Sequence, residues 1–138
     1  MWLVVVSICC FSAKYQNTHL EGKWKMDQFV IKKTVKGNVS VKTYQAGKKI
    51  DSFIRCPEII SISSDQITFR YLDQSEEKGT YSIEGNQLKV MFAPGLRTYQ
   101  FTLRNSISIQ LELTVKYTID GKEKVEEVYQ LYGHRDEN

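Results

Sequence analysis

The stretch ISIQLELTVKYTIDGKEKV, residues 107–125, decides the fold class of this chain. Apolar and polar side chains alternate almost without a break over residues 107–117, which is the period of a β-strand with one buried face. Asp120-Gly121 follows, and this pair favours the positive φ angles of a tight hairpin turn. Another apolar-rich run at residues 125–132 completes a predicted antiparallel pair of strands.

A second hairpin precedes this one. The stretch GTYSIEGNQLKVMF, residues 79–92, has two alternating runs on either side of Gly85-Asn86. Both turn residues tolerate positive φ, so a short hairpin is expected between the runs. Residues 99–103 alternate in the same way and add the next strand.

The first predicted strand is long and irregular. Trp24 and Met26 alternate with polar neighbours, but three apolar residues then adjoin at positions 29–31. Such a break predicts a β-bulge or bend within the strand. Shorter runs typical of strands occur at residues 39–43, 50–55, 58–63 and 67–71.

These runs amount to eight to ten strands, nearly all joined by short turns, and no segment has a helical period. Short turns join antiparallel neighbours, and such a chain must close or cover its edges. We therefore predict an all-β fold, an antiparallel up-and-down β-barrel of about eight strands. A two-sheet sandwich is the alternative, although its crossing connections would need a long loop that is not evident.

Composition and motifs favour a binding protein over an enzyme. The 138 residues are 41% hydrophobic and 25% charged, which suits one globular domain. A net charge of +3 comes from scattered lysines with no nucleic-acid motif, so no nucleic-acid partner is expected. No catalytic motif is present, and His19 and His134 lack neighbours with metal-ligand spacing. We expect no enzyme activity, metal or cofactor, and read Asp73, Glu76 and Glu77 as a solvated turn.

The first residues resemble a targeting segment. Residues 2–11 form an apolar run that is too short for a transmembrane helix but has the length of a signal-peptide core. We predict a leader at 1–19, a barrel domain at 20–138, and an exported protein of the periplasm, cell envelope or extracellular space. Cys9 and Cys10 leave a lipoprotein anchor open beside simple cleavage, although Ile8 fits a lipidation motif poorly. That anchor is the only membrane association expected. Cys56 reads as a small core residue.

The stretch LEGKWKM, residues 20–26, adds a resemblance. Gly22-x-Trp24 at the head of an all-β chain resembles the opening motif of lipocalins and related calycin barrels. With the runs at 79–88, 99–103 and 107–113, the chain from Leu20 onward is similar to small exported lipocalin-like proteins of bacteria, especially Bacteroidetes. The resemblance implies that the tryptophan packs across one end of the barrel and the glycine gives clearance there. It also implies a basic side chain over the indole, either Arg104, which we prefer, or Arg135.

The same resemblance implies a function. A monomeric barrel is expected to bind a small hydrophobic molecule in its interior. The alternative is a barrel filled by its own side chains that binds a protein or glycan at the cell envelope, with residues 44–52 as a rim loop. The side chains expected to line a ligand site are the inward aromatic and aliphatic residues Phe69, Tyr71, Tyr81, Phe92, Tyr99, Phe101 and Leu111.

Overall fold

The computed structural model of the chain describes residues 19–45 and 55–137, and all nine of its elements are β-strands. The predicted leader at 1–19 lies outside this part except for its last residue, as do most of the strand expected at 50–55 and most of the rim loop at 44–52. The strands are β1 (Gly22–Val35), β2 (Asn38–Gln45), β3 (Ile59–Ile62), β4 (Gln66–Arg70), β5 (Glu76–Glu84), β6 (Gln87–Phe92), β7 (Gly95–Arg104), β8 (Ser108–Ile119) and β9 (Glu123–Arg135).

Eight of these strands close into an antiparallel barrel. From β3 to β9, each strand pairs with the next along the chain, and β1 pairs with both β3 and β9. The β1–β9 pairing runs from Trp24 opposite Arg135 to Val35 opposite Val125, and it closes the ring. The predicted all-β, up-and-down barrel of about eight strands is confirmed, with β2 as one extra strand.

The first strand explains why β2 lies outside the ring. Residues 22–25 of β1 pair with β3, whereas residues 28–35 pair with β2 along the same edge of the strand. The C-terminal part of β1, residues 28–35, therefore pairs with β2. The β1–β2 and β8–β9 hairpins extend past the shorter strands. We call the end of the barrel near Trp24 the Trp24 end, and the opposite end, where β5 and β7 begin, the far end.

The expected bulge in β1 is present, but it lies earlier than the sequence indicated. The register against β9 shifts between Met26 and Gln28, so Asp27 is the extra residue. One inserted residue reverses the alternation of faces. Because of that reversal, Met26 and Phe29 both point inward and are buried.

The predicted hairpin turns are also present. β5 and β6 join through Gly85-Asn86, with Glu84 opposite Gln87. β8 and β9 join around Asp120 and Gly121, whose φ angles are 53° and 69°. Positive φ at both positions gives the turn a twist that matches the flanking strands.

Candidate functional site: the inward face of the barrel

All seven residues predicted to line a ligand site lie on the inward face. Phe69, Tyr71, Phe92, Tyr99 and Leu111 are buried, whereas Tyr81 and Phe101 are half-buried and pack against the core. The alternation of each strand sets this common direction, since residues two apart share a face. The sequence thus predicted which side chains point inward.

These aromatic rings contact one another. The ring centroids of Phe69 and Phe92 lie 5.2 Å apart in an edge-to-face arrangement, and those of Phe69 and Tyr99 lie 6.1 Å apart. On the opposite wall, Phe29 stacks on Tyr129 with centroids 5.8 Å apart. Pairs at such distances stabilise a core beyond their buried area. We call these five rings the aromatic floor.

A polar cluster lies beside this floor, where β4 ends and β5 and β7 begin. The Tyr71 hydroxyl donates a hydrogen bond to the Glu77 carboxylate, and Arg97 lies 3.4 Å from the same carboxylate. The Arg97 guanidinium also lies 4.7 Å from the centroid of the Phe92 ring. Burial, and then the bond to Glu77, raise the pKa of Tyr71. We call Tyr71, Glu77 and Arg97 the Glu77 network.

The sequence-based interpretation of the acidic residues here was partly wrong. Asp73 does lie in an exposed turn, where it pairs with Arg55 at 3.0 Å. Glu76 and Glu77, however, both belong to β5, and Glu77 shares the inward face with Gly79 and Tyr81. The sequence does contain a signal for the position of Glu77. Extending the period-two alternation of β5 two residues back from Gly79 places Glu77 on the inward face. A β5 strand that begins only at Gly79 leaves out Glu77, and a β7 strand that begins only at Tyr99 leaves out its partner Arg97.

A second polar cluster lies on the inward face of the extended strands. The hydroxyls of Tyr117 and Tyr129 both donate to the Glu127 carboxylate. Lys33, opposite Glu127 in the register of β1 and β9, contributes a favourable charge. The sequence-based interpretation did not single out any of these residues. We call these four residues the Glu127 network.

Replacing Glu127 by Gln should make stability less sensitive to acid. Burial acts to raise the pKa of Glu127, but the two tyrosine hydrogen bonds and Lys33 hold it below its usual value. A carboxyl whose pKa is lower in the folded state stabilises the fold above its unfolded pKa and loses that effect as the pH falls through the folded value. Between about pH 7 and about pH 3, the wild-type melting temperature should therefore fall further than that of Glu127→Gln.

The control for this experiment is Glu126→Gln, because Glu126 is exposed on the outer face of the same strand. Its melting temperature should follow that of the wild type over the whole pH range. Parallel curves for the wild type and Glu127→Gln would show that the Glu127 network does not lower that carboxyl pKa.

At the Trp24 end, the preferred basic residue was wrong. Arg135, and not Arg104, covers the indole, with its guanidinium carbon 4.2 Å from the ring centroid. The reason is the closure of the barrel, which places Arg135 directly opposite Trp24 in the β1–β9 register. Arg104 ends β7, opposite Ser108, and is exposed.

Arg135 also forms hydrogen bonds to backbone carbonyl groups, two of them in the segment just before β1. Its guanidinium donates to the carbonyl oxygens of Glu21 at 2.5 Å, His19 at 2.9 Å and Ser106 at 3.0 Å. Gly22, with a φ of 128°, lies so close that a side chain there would meet the Arg135 guanidinium. The clearance expected of this glycine is therefore needed for the arginine that covers Trp24.

Two surface grooves formed by described residues lie away from the seven predicted ligand residues. One, of about 730 Å³, lies at the tips of the β1–β2 and β8–β9 hairpins and includes Lys36, Lys116 and Lys124. The other, of about 250 Å³, lies on the outer side of β7, β8 and β9 and includes Arg104 and Tyr132. Neither groove contains an inward aromatic residue of the floor.

Comparison of the chain with protein-family models, curated proteins and solved structures found no match. The fold and the geometry of the site therefore carry the functional argument.

Across residues 19–45 and 55–137, no helix has the length and apolar character needed to cross a membrane. The same residues contain no group of three or more His, Cys, Asp or Glu side chains placed to hold a metal ion. Cys56 is half-buried, and burial raises the pKa of its thiol to about 12.

Proposed function

We propose that this protein is an exported, non-enzymatic lipocalin-like barrel that binds one small hydrophobic molecule at its far end. The observation that carries the proposal is an aromatic floor of inward rings with two polar networks beside it inside one barrel. Small-molecule sites typically combine apolar walls with a few oriented polar groups. The Gly22-x-Trp24 opening and the closed antiparallel barrel support the lipocalin-like assignment, and the apolar run at residues 2–11 supports export.

The two networks give the proposed site its shape. The Glu77 network lies on β5 and β7 with Tyr71, and the Glu127 network lies across the barrel on β1, β8 and β9. Beside the Glu127 network, Ile31 lies opposite Tyr129 and Val115 lies opposite Glu127. Both inward side chains are only half-buried, although they pack against the core. An apolar molecule lying on the aromatic floor would contact these two side chains. Its polar atoms would reach the tyrosine hydroxyls or Arg97.

The test compares binding of the neutral fluorophore N-phenylnaphthylamine by two tryptophan variants of β1. Ile31→Trp fills the proposed site from its inward face and should weaken binding by about tenfold or more. The matched control is Val30→Trp, because the neighbouring side chain points outward and should leave the affinity within about twofold. Absence of binding by the wild type, or equal weakening by both variants, would refute the proposed site.

The second candidate function is an interaction module of the cell envelope. The observation that favours it is the exposure of Val39 (63%) and Val41 (55%) on β2, outside the barrel wall. Pull-down from envelope extracts with the wild type and with Val41→Lys would test it. Specific loss of one envelope component in the variant, without loss of fluorophore binding, would favour this function over ligand binding alone.

A further inference from the structure

β2 is an edge strand with an unused side. One edge pairs with β1 over eight residue pairs, from Gln28 opposite Gln45 to Val35 opposite Asn38. Within the described part of the chain, no strand pairs with the other edge. An exposed strand edge offers unpaired N–H and C=O groups to any partner that can continue the sheet.

The β1–β2 turn determines which backbone groups of β2 face outward. Lys36 and Gly37 form a two-residue turn with φ angles of 52° and 78°, so Val35 and Asn38 form the hydrogen-bonded pair that closes it. Hydrogen-bonded pairs recur every second residue along an antiparallel ladder. The N–H and C=O groups that point away from β1 therefore belong to Val39, Val41, Thr43 and Gln45.

We propose that a second copy of this chain occupies this edge, with the two β2 strands antiparallel about a two-fold axis at Val41. Only registers that pair odd-numbered residues with odd-numbered residues match the free backbone groups. Centring the pair on Val41 satisfies this condition and overlaps residues 38–44 of both copies. Val39 then lies opposite Thr43, and the Val41 residues of the two copies lie opposite each other.

Charge selects the same register. Lys42 is the one charged residue of β2, and the proposed register places it opposite Ser40 of the other copy. Centring the axis one residue further, on Lys42, would put two ammonium groups directly opposite each other, which destabilises a sheet. Centring it one residue earlier, on Ser40, would shorten the overlap. The two exposed valines, which share the outer face, then form one apolar stripe across the axis.

The interface is small, and this fixes the expected strength. Pairing through one strand edge buries less surface than the roughly 1,200 Å² that separates transient from stable complexes. We therefore expect a weak dimer that forms as the protein concentration rises, in place of the monomer expected from the sequence. The pairing is independent of ligand binding, because it uses only the outer edge of β2.

Sedimentation velocity over a range of concentrations tests the dimer. Val41→Lys places two like charges opposite each other on the axis and should leave only monomer. Val39→Lys is the matched control, since each new lysine faces Thr43 and the dimer should largely persist. A wild type that stays monomeric at the highest concentration, or equal loss of dimer in both variants, would overturn the proposal.

Disulfide trapping tests the register in a chain whose Cys9, Cys10 and Cys56 are replaced by Ser. Val41→Cys should cross-link under mild oxidation, because a hydrogen-bonded pair has Cα atoms about 5.5 Å apart, within disulfide range. Val39→Cys is equally exposed, but its two copies are separated by four residues along the strand, about 13 Å, and should not cross-link. Equal cross-linking of both variants, or preference for Val39→Cys, would overturn the register.

Discussion

Trp24→Ala should lower the free energy of unfolding by about 3–5 kcal/mol. The side chain is fully buried at the end of the barrel, and its indole N–H donates to the Leu20 carbonyl oxygen at 2.9 Å. Removing the ring creates a cavity and takes away the surface under the Arg135 guanidinium. The loss therefore combines packing, a buried hydrogen bond and a cation–π contact.

Denaturant unfolding followed by circular dichroism measures this loss. Leu96→Ala is a suitable control, because Leu96 is 56% exposed on β7 and its truncation should change stability by no more than about 0.5 kcal/mol. Trp24→Phe should fall between the wild type and Trp24→Ala, since it keeps an aromatic ring but loses the N–H donor. Near-wild-type unfolding of Trp24→Ala would refute the structural role of this tryptophan.

Arg135→Ala should cost about 2–3 kcal/mol, from the cation–π contact and the hydrogen bonds of a charged donor to backbone carbonyls. Arg104→Ala should cost no more than about 0.5 kcal/mol, because its side chain is exposed on the outer surface. Both arginines lie near the end of a strand and carry the same charge. The pair thus separates the specific contact with Trp24 from a general effect of charge.

The measurement is again the free energy of unfolding, combined with the fluorescence maximum of Trp24. Arg135→Ala should shift that maximum to longer wavelength as water reaches the ring, and Arg104→Ala should not. Because Trp2 also emits, both variants are best compared in a Trp2→Phe background. A larger loss in Arg104→Ala than in Arg135→Ala would restore Arg104 as the covering residue.

The strands and turns were predictable because their signals are local. Alternation at residues 107–117 and the turns at Gly85-Asn86 and Asp120-Gly121 depend only on neighbouring residues. Long-range pairing has no such local signal. The choice between Arg104 and Arg135 depended on β9 meeting β1 in a particular register, which short-range patterns do not contain.

The position of β2 was not predictable for a related reason. Its sequence reads as an ordinary strand, and the structure confirms one at Asn38–Gln45. What removes it from the barrel wall is the length of β1, which pairs with β3 through its first residues and with β2 through its last. A bulge at Asp27 lies between these two parts. The three adjoining apolar residues at 29–31 predicted the bulge, but only its approximate position.

The sequence predicted which apolar side chains of the candidate site point inward, but it did not predict the polar groups among them. Period-two alternation placed all seven expected side chains on the inward face, including the half-buried Tyr81 and Phe101. It did not indicate that a carboxylate and a guanidinium would lie among them. Glu77 and Arg97 come from strands that are not neighbours, and only the curvature of the barrel brings them within 3.4 Å.

The most direct test of the proposed function is to locate the fluorophore by nuclear Overhauser contacts to the methyl groups of the protein. With N-phenylnaphthylamine bound, we predict contacts to the methyls of Ile31 and Val115 at the far end, and none to Ile60 or Ile62 near Trp24. Contacts to Val39 and Val41 on the outside of the barrel, or no contacts at all at saturating fluorophore, would contradict a ligand site on the inward face.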